Sequence, residues 1–543
     1  MSVFRTVELD IVRPATVSET EDTPPGHGVL PYGTLSRDAQ AVEFVETLRF
    51  SDAGYVDQNS LPYPPYVSDA FEIDRGLTLL ADALGGSRSF GSITLSNPSG
   101  VLDSMVLTRV NDHLPVRIFA GRKSHDAARG LDVDPPMGVL SPVFAGLGKN
   151  WQPGRRTITI ELLDATWWLE SSMVVGTYGG SGKLDGDSNV AGRNMPRIRG
   201  TVRNITPVLI DSVNYVYQIS DGPAVISALY EGGYAGGIQS AGSVADLYAA
   251  SPAPGTYTYT SSASGTFFRL GTKPVYAIKV DATGSFRSGK APVNILDILR
   301  QVLFEDLAMP AAYLDPAWPE LSPLAPWPGG WYWDGSEAIT GSDAVTTLLS
   351  GLGITIVPTR TGTLLPVILA VPERSGTPKA SLSADLITEI EPVALDASLD
   401  PPTWRWRIGW QHNFTVQEAG STLHPQIPAE QQSFAVQSDR NAVWYSQDIK
   451  AKWRLPNDPT PVVTALSRQQ DAQEIANRHG ALWGTRRRVW SISVPQDRAW
   501  LLDLGDPVWL SGPAPGLTGG APGVVVGEQI RSAESVVTFR ILV

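Results

Sequence analysis

The chain has 543 residues, 42% hydrophobic and 18% charged, with a formal net charge of −13 and no cysteine. That length implies about three to five domains with real cores; the acidity removes the basic footprint of a nucleic-acid binder; the missing thiols exclude disulfides, cysteine nucleophiles and thiolate-held metals. The 52 glycines and 43 prolines follow no collagen period, which favours many turns, few long helices and a mainly β fold with α+β elements.

Val7, Leu9 and Ile11 alternate with Glu8 and Asp10, so a strand starts almost at once. Residues preceding it carry no apolar run of the signal-peptide kind, and the best apolar run elsewhere, 364–371, is broken by Pro366 and too short to cross a membrane. Thr23 to Gly26 reads as a loop, Val42, Phe44 and Val45 begin a second strand that passes Leu48 and Phe50, and the proline-rich 59–65 reads as a surface loop or crossover. Between Phe90 and Leu169 come strand pieces at 91–96, 114–121, 143–146 and 157–162, each closed by Gly, Pro, Asn or Asp. Short alternating strands punctuated in this way describe a small antiparallel barrel.

From 167 to 289 glycine, serine, tyrosine and asparagine dominate, and the stretch reads as an inserted β-rich domain with strands at 207–210, 215–219, 255–259 and 275–280 and a short helix at 243–249. Pro292 stands where a first-turn proline is welcome, ahead of a one-sided stripe of Ile295, Ile298, Leu299, Val302 and Leu303. A second helix runs from Ser342 as cap to Gly351 as stop and leads into strands at 354–357 and 365–369 around Thr361 and Gly362, a helix packed on a hairpin. The intervening 316–337, with Trp318, Trp327, Trp331 and Trp333, reads as too proline-rich for regular structure. In the last unit Trp404, Trp406 and Ile408 alternate with Arg405 and Arg407. A helix follows at 467–482 behind a Ser467–Gln470 capping box, with Arg486, Arg487 and Arg488 past its C-terminus where cations suit the dipole. Strands at 490–494, 508–510, 523–526 and 536–543 close the chain, with a turn at 503–508. The expected division is 1–166, a first barrel; 167–289, the insertion; 290–402, the helix-hairpin unit; and 403–543, a C-terminal β-domain with one helix.

Candidate chemistry is sparse. The histidines at 27, 113, 125, 412, 424 and 479 show no metal spacing. Ser181 sits in a Gly179–Gly182 loop that lacks the form of a nucleophile elbow. Asp185, Asp187 and Asn189 alternate as in a calcium loop, but Val190 and Pro196 replace the glycine and the bidentate glutamate of that pattern. Trp331, Trp333, Asp334 and Glu337 could serve a glycan, the rings by stacking and the carboxylates by general acid–base work. The favoured reading is that the same rings pin the proline-rich stretch to the body or to a neighbouring subunit. No catalytic, cofactor-binding or metal-binding residue is assigned, and no enzymatic activity is expected.

The run Gly91-Ser92-Ile93-Thr94-Leu95-Ser96-Asn97-Pro98-Ser99-Gly100-Val101-Leu102-Asp103 resembles the strand, Asn-x-x-Gly turn and Asp that open the first barrel of tail-hub and baseplate-hub proteins of long-tailed bacteriophages. Phe144-Ala145-Gly146 and the strand ending at Asp164 are similar to the rest of that barrel, and the 467–482 helix with Leu504-Gly505-Asp506-Pro507-Val508 looks like the closing β-domain of the same family, which extends to contractile tails and gene transfer agents. The resemblance implies two barrel-like hub domains per chain and a homotrimer around the tail axis that adapts a six-fold tail to a three-fold tip. It implies a structural virion protein at the tail tip or baseplate, assembled in the host cytoplasm. Its implied partners are the distal tail ring protein, the tape-measure protein and tail-tip or fibre proteins. The alternatives are an extracellular or virion-associated carbohydrate-binding or glycan-degrading protein, centred on Trp331, Trp333, Asp334 and Glu337, and a receptor-binding tail fibre, against which the missing coiled coil and repeats argue.

Overall fold

The structure, a computed structural model, describes residues 3–13, 44–79, 83–84, 86–249, 251–289, 294–420, 422–496, 502–534 and 536–543. The expected loop at Thr23 to Gly26, the strand start at Val42, and His27 and Pro292 lie outside them.

The molecule is mainly β. Seven antiparallel strands form the first sheet, in the order Phe44–Ser51, Val3–Arg13, Pro115–Arg122, Ser141–Pro153, Thr157–Leu163, Ser92–Ser96 and Val67–Asp69. Val7, Leu9, Ile11, Ile93, Leu95, Val116 and Ile118 fill its inner face because each strand alternates as its sequence does. Register shifts at Pro142/Phe144 and Lys149/Trp151 bend the long Ser141–Pro153 strand. Ser51, at the end of the first strand, donates its N–H and hydroxyl to the Pro64 and Tyr63 carbonyls, in the segment that leads into the last strand. The stretch expected as a plain surface loop here is a small hairpin, Tyr55–Val56 with Pro62–Tyr63, and Tyr63 is buried in an aromatic cluster with Phe4 and Tyr55.

A second large sheet closes the chain. Its order is Ala380–Leu382, Pro507–Leu510, Ala521–Arg531, Val536–Leu542, Val489–Pro495 and Glu389–Val393. The strand Ala521–Arg531 divides one edge between two partners. Its start pairs with Pro507–Leu510, and its end, Gly527 to Arg531, pairs antiparallel with Gly76 to Glu72 from the other end of the chain.

Between these sheets lie a β-sandwich and the helices. The sandwich packs the four strands Ala224–Glu231, Ile278–Gly284, Arg197–Ile205 and Gly330–Trp333 against five others, Val208–Asp211, Val216–Ser220, Gly265–Leu270, Thr256–Ser262 and Gln239–Ser243, around Ile198, Val202, Ile219, Phe268 and Val280. The apolar stripe at Ile295 forms helix Ile295–Gln301, continued by one wide π turn, Val302–Asp306. That helix, the Gly341–Leu349 helix and the Gln469–Trp483 helix share one continuous core with both large sheets.

Four local expectations are corrected. The 243–249 segment forms no helix: Ser243 ends a strand and 244–249 is loop and turn, where the Asp246 carboxylate accepts the Tyr248 N–H, a local bond that competes with helix. Thr340, not Ser342, caps the Gly341–Leu349 helix, in a capping box with Asp343. Helix Gln469–Trp483 has no capping box, because the Ser467 hydroxyl donates instead to the Pro328 carbonyl. The tryptophan-rich stretch holds a regular strand, Gly330–Trp333, beyond its last proline; at Gly330 a Cβ would stand 1.9 Å from the Thr201 carbonyl oxygen, so only glycine lets this strand approach its neighbour.

Candidate functional site

The turn that opens the hub-like motif is a closed hydrogen-bond unit. The Ser92–Ser96 strand runs into Asn97, which is buried and uses its whole amide: Nδ2 donates to Asp103 Oδ1 at 2.7 Å, and Oδ1 accepts the Leu102 N–H at 3.1 Å. Its backbone N–H donates to the Arg156 carbonyl, which ties the turn to the neighbouring hairpin. Gly100 adopts φ 72°, the left-handed region that favours glycine. Asp103 then starts the short helix Asp103–Thr108. Asn97→Ala leaves the Leu102 N–H and Asp103 without partners and is expected to cost about 1–3 kcal/mol; the urea midpoint read by tryptophan fluorescence checks this, and a shift within error of wild type would show that water replaces the amide.

A second constellation welds the two ends of the chain. Arg75, 1% exposed, donates from Nε to Glu528 Oε1 at 2.6 Å, from Nη1 to the Pro358 carbonyl at 2.7 Å and from Nη2 to Asp503 Oδ1 at 2.8 Å. Glu528, fully buried, also pairs with Arg360. Burial alone would raise the Asp503 carboxyl, but Arg75 and Arg360 hold it below the ordinary carboxylate value. Three separate stretches therefore meet at one carboxylate on the shared ladder.

The residues proposed for glycan chemistry are not arranged for it. Trp327, Trp331 and Trp333 are buried, with Trp331 opposite Arg199 and Trp333 opposite Arg197 in the sandwich ladder. Trp327 Nε1 donates to Glu474 Oε2 at 3.1 Å. Rings in the core offer no face to a sugar. Asp334 closes its own turn by accepting the Ser336 N–H and hydroxyl, and Glu337 points to solvent.

The other marked residues are dispersed. Asp185 accepts the Gly179 and Ser181 N–H groups and the Ser181 hydroxyl, so the glycine-rich loop and the calcium-like run are one structure; these bonds hold the Asp185 carboxyl below its ordinary value. Among the described residues no three His, Asp or Glu side chains converge as a metal-ligand set. His113, His125 and His412 each contact an aspartate, and His424 stacks on Tyr234. Of the arginine run, Arg487 donates to the Leu482 and Ala481 carbonyls at the helix end and Arg486 grips Asp400 with two hydrogen bonds.

His479 is buried against the Trp406 ring and hydrogen-bonds the Gly351 carbonyl through Nε2 at 2.7 Å. Burial pushes its pKa below the ordinary 6.5, outweighing the Gly351 carbonyl. Below about pH 6.5 the unfolded chain therefore takes up a proton that the folded chain refuses. Stability from this group is complete above that pH and falls as pH drops, at up to about 1.4 kcal/mol per pH unit. Urea midpoints for wild type and His479→Gln between pH 5 and 8 check this; equal slopes would remove His479 as the cause.

No protein-family model matches the chain, and no curated protein matches it in sequence. Solved structures align along most of it. A tail protein from Neisseria meningitidis MC58 is 11% identical over 90% of this chain and 96% of that one, with a TM-score of 0.40. A chain of the native gene transfer agent virion is 12% identical over 65% and 84%, with a TM-score of 0.41. A 43 kDa tail protein of prophage MuSo2 from Shewanella oneidensis is 9% identical over 89% and 96%, with a TM-score of 0.34. At these values the likeness is loose.

Proposed function

We propose that this chain is a structural virion protein, the central hub of a phage-type tail tip or baseplate. Three copies would surround the tail axis, adapting the six-fold tail to a three-fold tip. The distal tail ring protein and the tape-measure protein would sit on one side and tip or fibre proteins on the other. The observation that carries this reading is the union of the two end sheets: Glu72–Gly76 pairs with Gly527 to Arg531, so two curved β-units form one body around the Arg75–Glu528 pair. A body that presents two β-units at fixed spacing can contribute two positions to a ring, and three such bodies fill six. The hub-like Asn97 to Asp103 turn, built as a closed hydrogen-bond unit, supports the same reading. The segments 1–166, 167–289, 290–402 and 403–543 belong to this proposal as its working parts, with the sandwich as an elaboration carried by the ring.

Mass photometry of the purified 58.3 kDa chain tests the reading. Particles of three chains, and density for the chain at the tail tip of the intact particle, are the expected results. A strict monomer that releases glycan from host surfaces would overturn it.

A further inference from the structure

The C-terminal sheet ends on strand Glu389–Val393, which pairs on one side with Val489–Pro495 and has no partner on its other side among the described residues. Glu389, Glu391, Pro392 and Val393 are exposed. Glu389 and Glu391 stand opposite Ser493 and Ser491 and make no hydrogen bond or ion pair among the described residues. Arg540, the next residue across from Ser491, is taken by Asp74. Charge and proline on an edge oppose strand addition, so a partner meets this edge through its side chains.

A surface of the opposite sign lies beside it. No residue of the short helix Gln447–Lys452 is buried, and the chain leaves it through Arg454 and Leu455, both exposed. Lys452 and Arg454 make no hydrogen bond or ion pair among the described residues, and Lys450 lies 4.2 Å from the centre of the Trp404 ring. The carboxylates around them serve other partners: Asp458 binds Arg405 and Arg407, and Asp400 binds Arg486. Asp448, on the same helix, pairs with neither Lys452 nor Arg454. In a chain of net charge −13 this leaves a local excess of positive charge, flanked by Tyr445, 60% exposed, and Leu455, 81% exposed. Such a face favours a partner that brings carboxylates together with aliphatic surface, as Glu389, Glu391 and Val393 do. The two faces flank one corner of the molecule. The edge strand leads to Ala397, whose carbonyl accepts the Asn457 Nδ2–H at 3.1 Å, just beyond Leu455.

We propose that the Glu389–Val393 edge of one copy of this chain packs against the Lys452–Leu455 face of a second copy, with Glu389 and Glu391 facing Lys452 and Arg454. The inference rests on the ring-forming reading above. The two surfaces differ, so the contact is heterologous, the type that closes into a ring. Because both surfaces flank one corner, successive copies turn about an axis at that corner.

Sedimentation velocity on the full chain over a concentration series, at low and at high salt, tests it. Wild type is expected to assemble, and to assemble less at high salt. Lys452→Glu with Arg454→Glu, and separately Glu389→Lys with Glu391→Lys, set like charges against one another and are each expected to weaken self-association at least about tenfold. All four changes in one chain are expected to recover it. Thermal melts confirm folding, and Leu455→Asp replaces either pair if that pair fails to fold. If wild type assembles and the variants assemble equally well, the contact is wrong and the ring reading stands. If only the Lys452 and Arg454 reversal weakens assembly, the basic face meets some other surface and the Glu389–Val393 edge is not its occupant. If the fourfold variant fails to recover assembly, the pairing of these four charges is wrong. If assembly stops at dimers that the variants disrupt, the contact holds and the ring reading falls. If wild type stays monomeric throughout, the ring reading falls and the contact with it.

Discussion

Glu528→Ala is expected to lower the unfolding free energy by about 3–5 kcal/mol, the usual cost of stripping one partner from a buried ion pair. The effect is large because Glu528 is fully buried and answers two guanidiniums, Arg75 on the Glu72–Gly76 strand and Arg360 at the hairpin that follows Pro358. Removing it leaves both charges without their main counter-ion, and only Asp503 remains near Arg75. Arg75, on the Glu72–Gly76 strand, cannot leave for water without opening the ladder between Gly76 and Gly527. Replacing Glu528, Arg75 and Arg360 together by leucine and methionines is expected to restore most of the loss, since packed apolar groups often equal a buried ion cluster. Urea unfolding with comparison of slopes checks both variants. A loss below about 1 kcal/mol for Glu528→Ala would mean that water reaches the cluster and screens it.

The second large effect is expected at Asp306, on the π turn after helix Ile295–Gln301. It accepts from Arg199 Nε at 2.9 Å and from a second Arg199 nitrogen at 2.8 Å, and it stands 3.2 Å from Arg197. Asp221 binds Arg197 from the opposite side and also pairs with Arg287. Two buried arginines, Arg197 and Arg199 on the strand that pairs with Trp333 and Trp331, thus share two buried aspartates, and the half-exposed Arg287 joins them from the rim. Asp306→Ala is expected to cost about 3–5 kcal/mol and to loosen the sandwich from the helices, while Asp306→Asn, which keeps acceptor geometry, costs less. The half-exposed Asp334, 45% exposed and 3.7 Å from Arg193, serves as control, with Asp334→Ala within about 0.5 kcal/mol of wild type. Hydrogen exchange across the Arg197–Ile205 strand localises the effect; unchanged protection there would separate the cluster from the docking of the sandwich.

These two clusters mark where reading the sequence stopped. Val7, Leu9 and Ile11, or Ile93 and Leu95, announce strands because one face is core and the other is not. Arg197–Ile205 announces nothing of the kind: Arg197 and Arg199 point inward to aspartates, and its other face is buried too, so alternation is lost. Gly330–Trp333 was hidden by the prolines before it, although four tryptophans in sixteen residues signalled a core contribution. The Asn97–Asp103 turn was legible because both ends of its hydrogen bond lie six residues apart. The corner flanked by Glu391 and Lys452 was not, because its faces come from separate segments of the chain.

The sequence by itself determined the β-rich class, most strands of the two end sheets and the motif turn, since these depend on alternation, turn residues and short spacings. Tertiary structure alone decided that Glu72–Gly76 joins the C-terminal sheet, that charged residues rather than apolar ones lock that seam, and that the tryptophans face the core rather than solvent. The physical reason is range. Alternation and turns are written within a few residues, whereas ladder partners and buried ion pairs join positions hundreds of residues apart, and only packing selects among them.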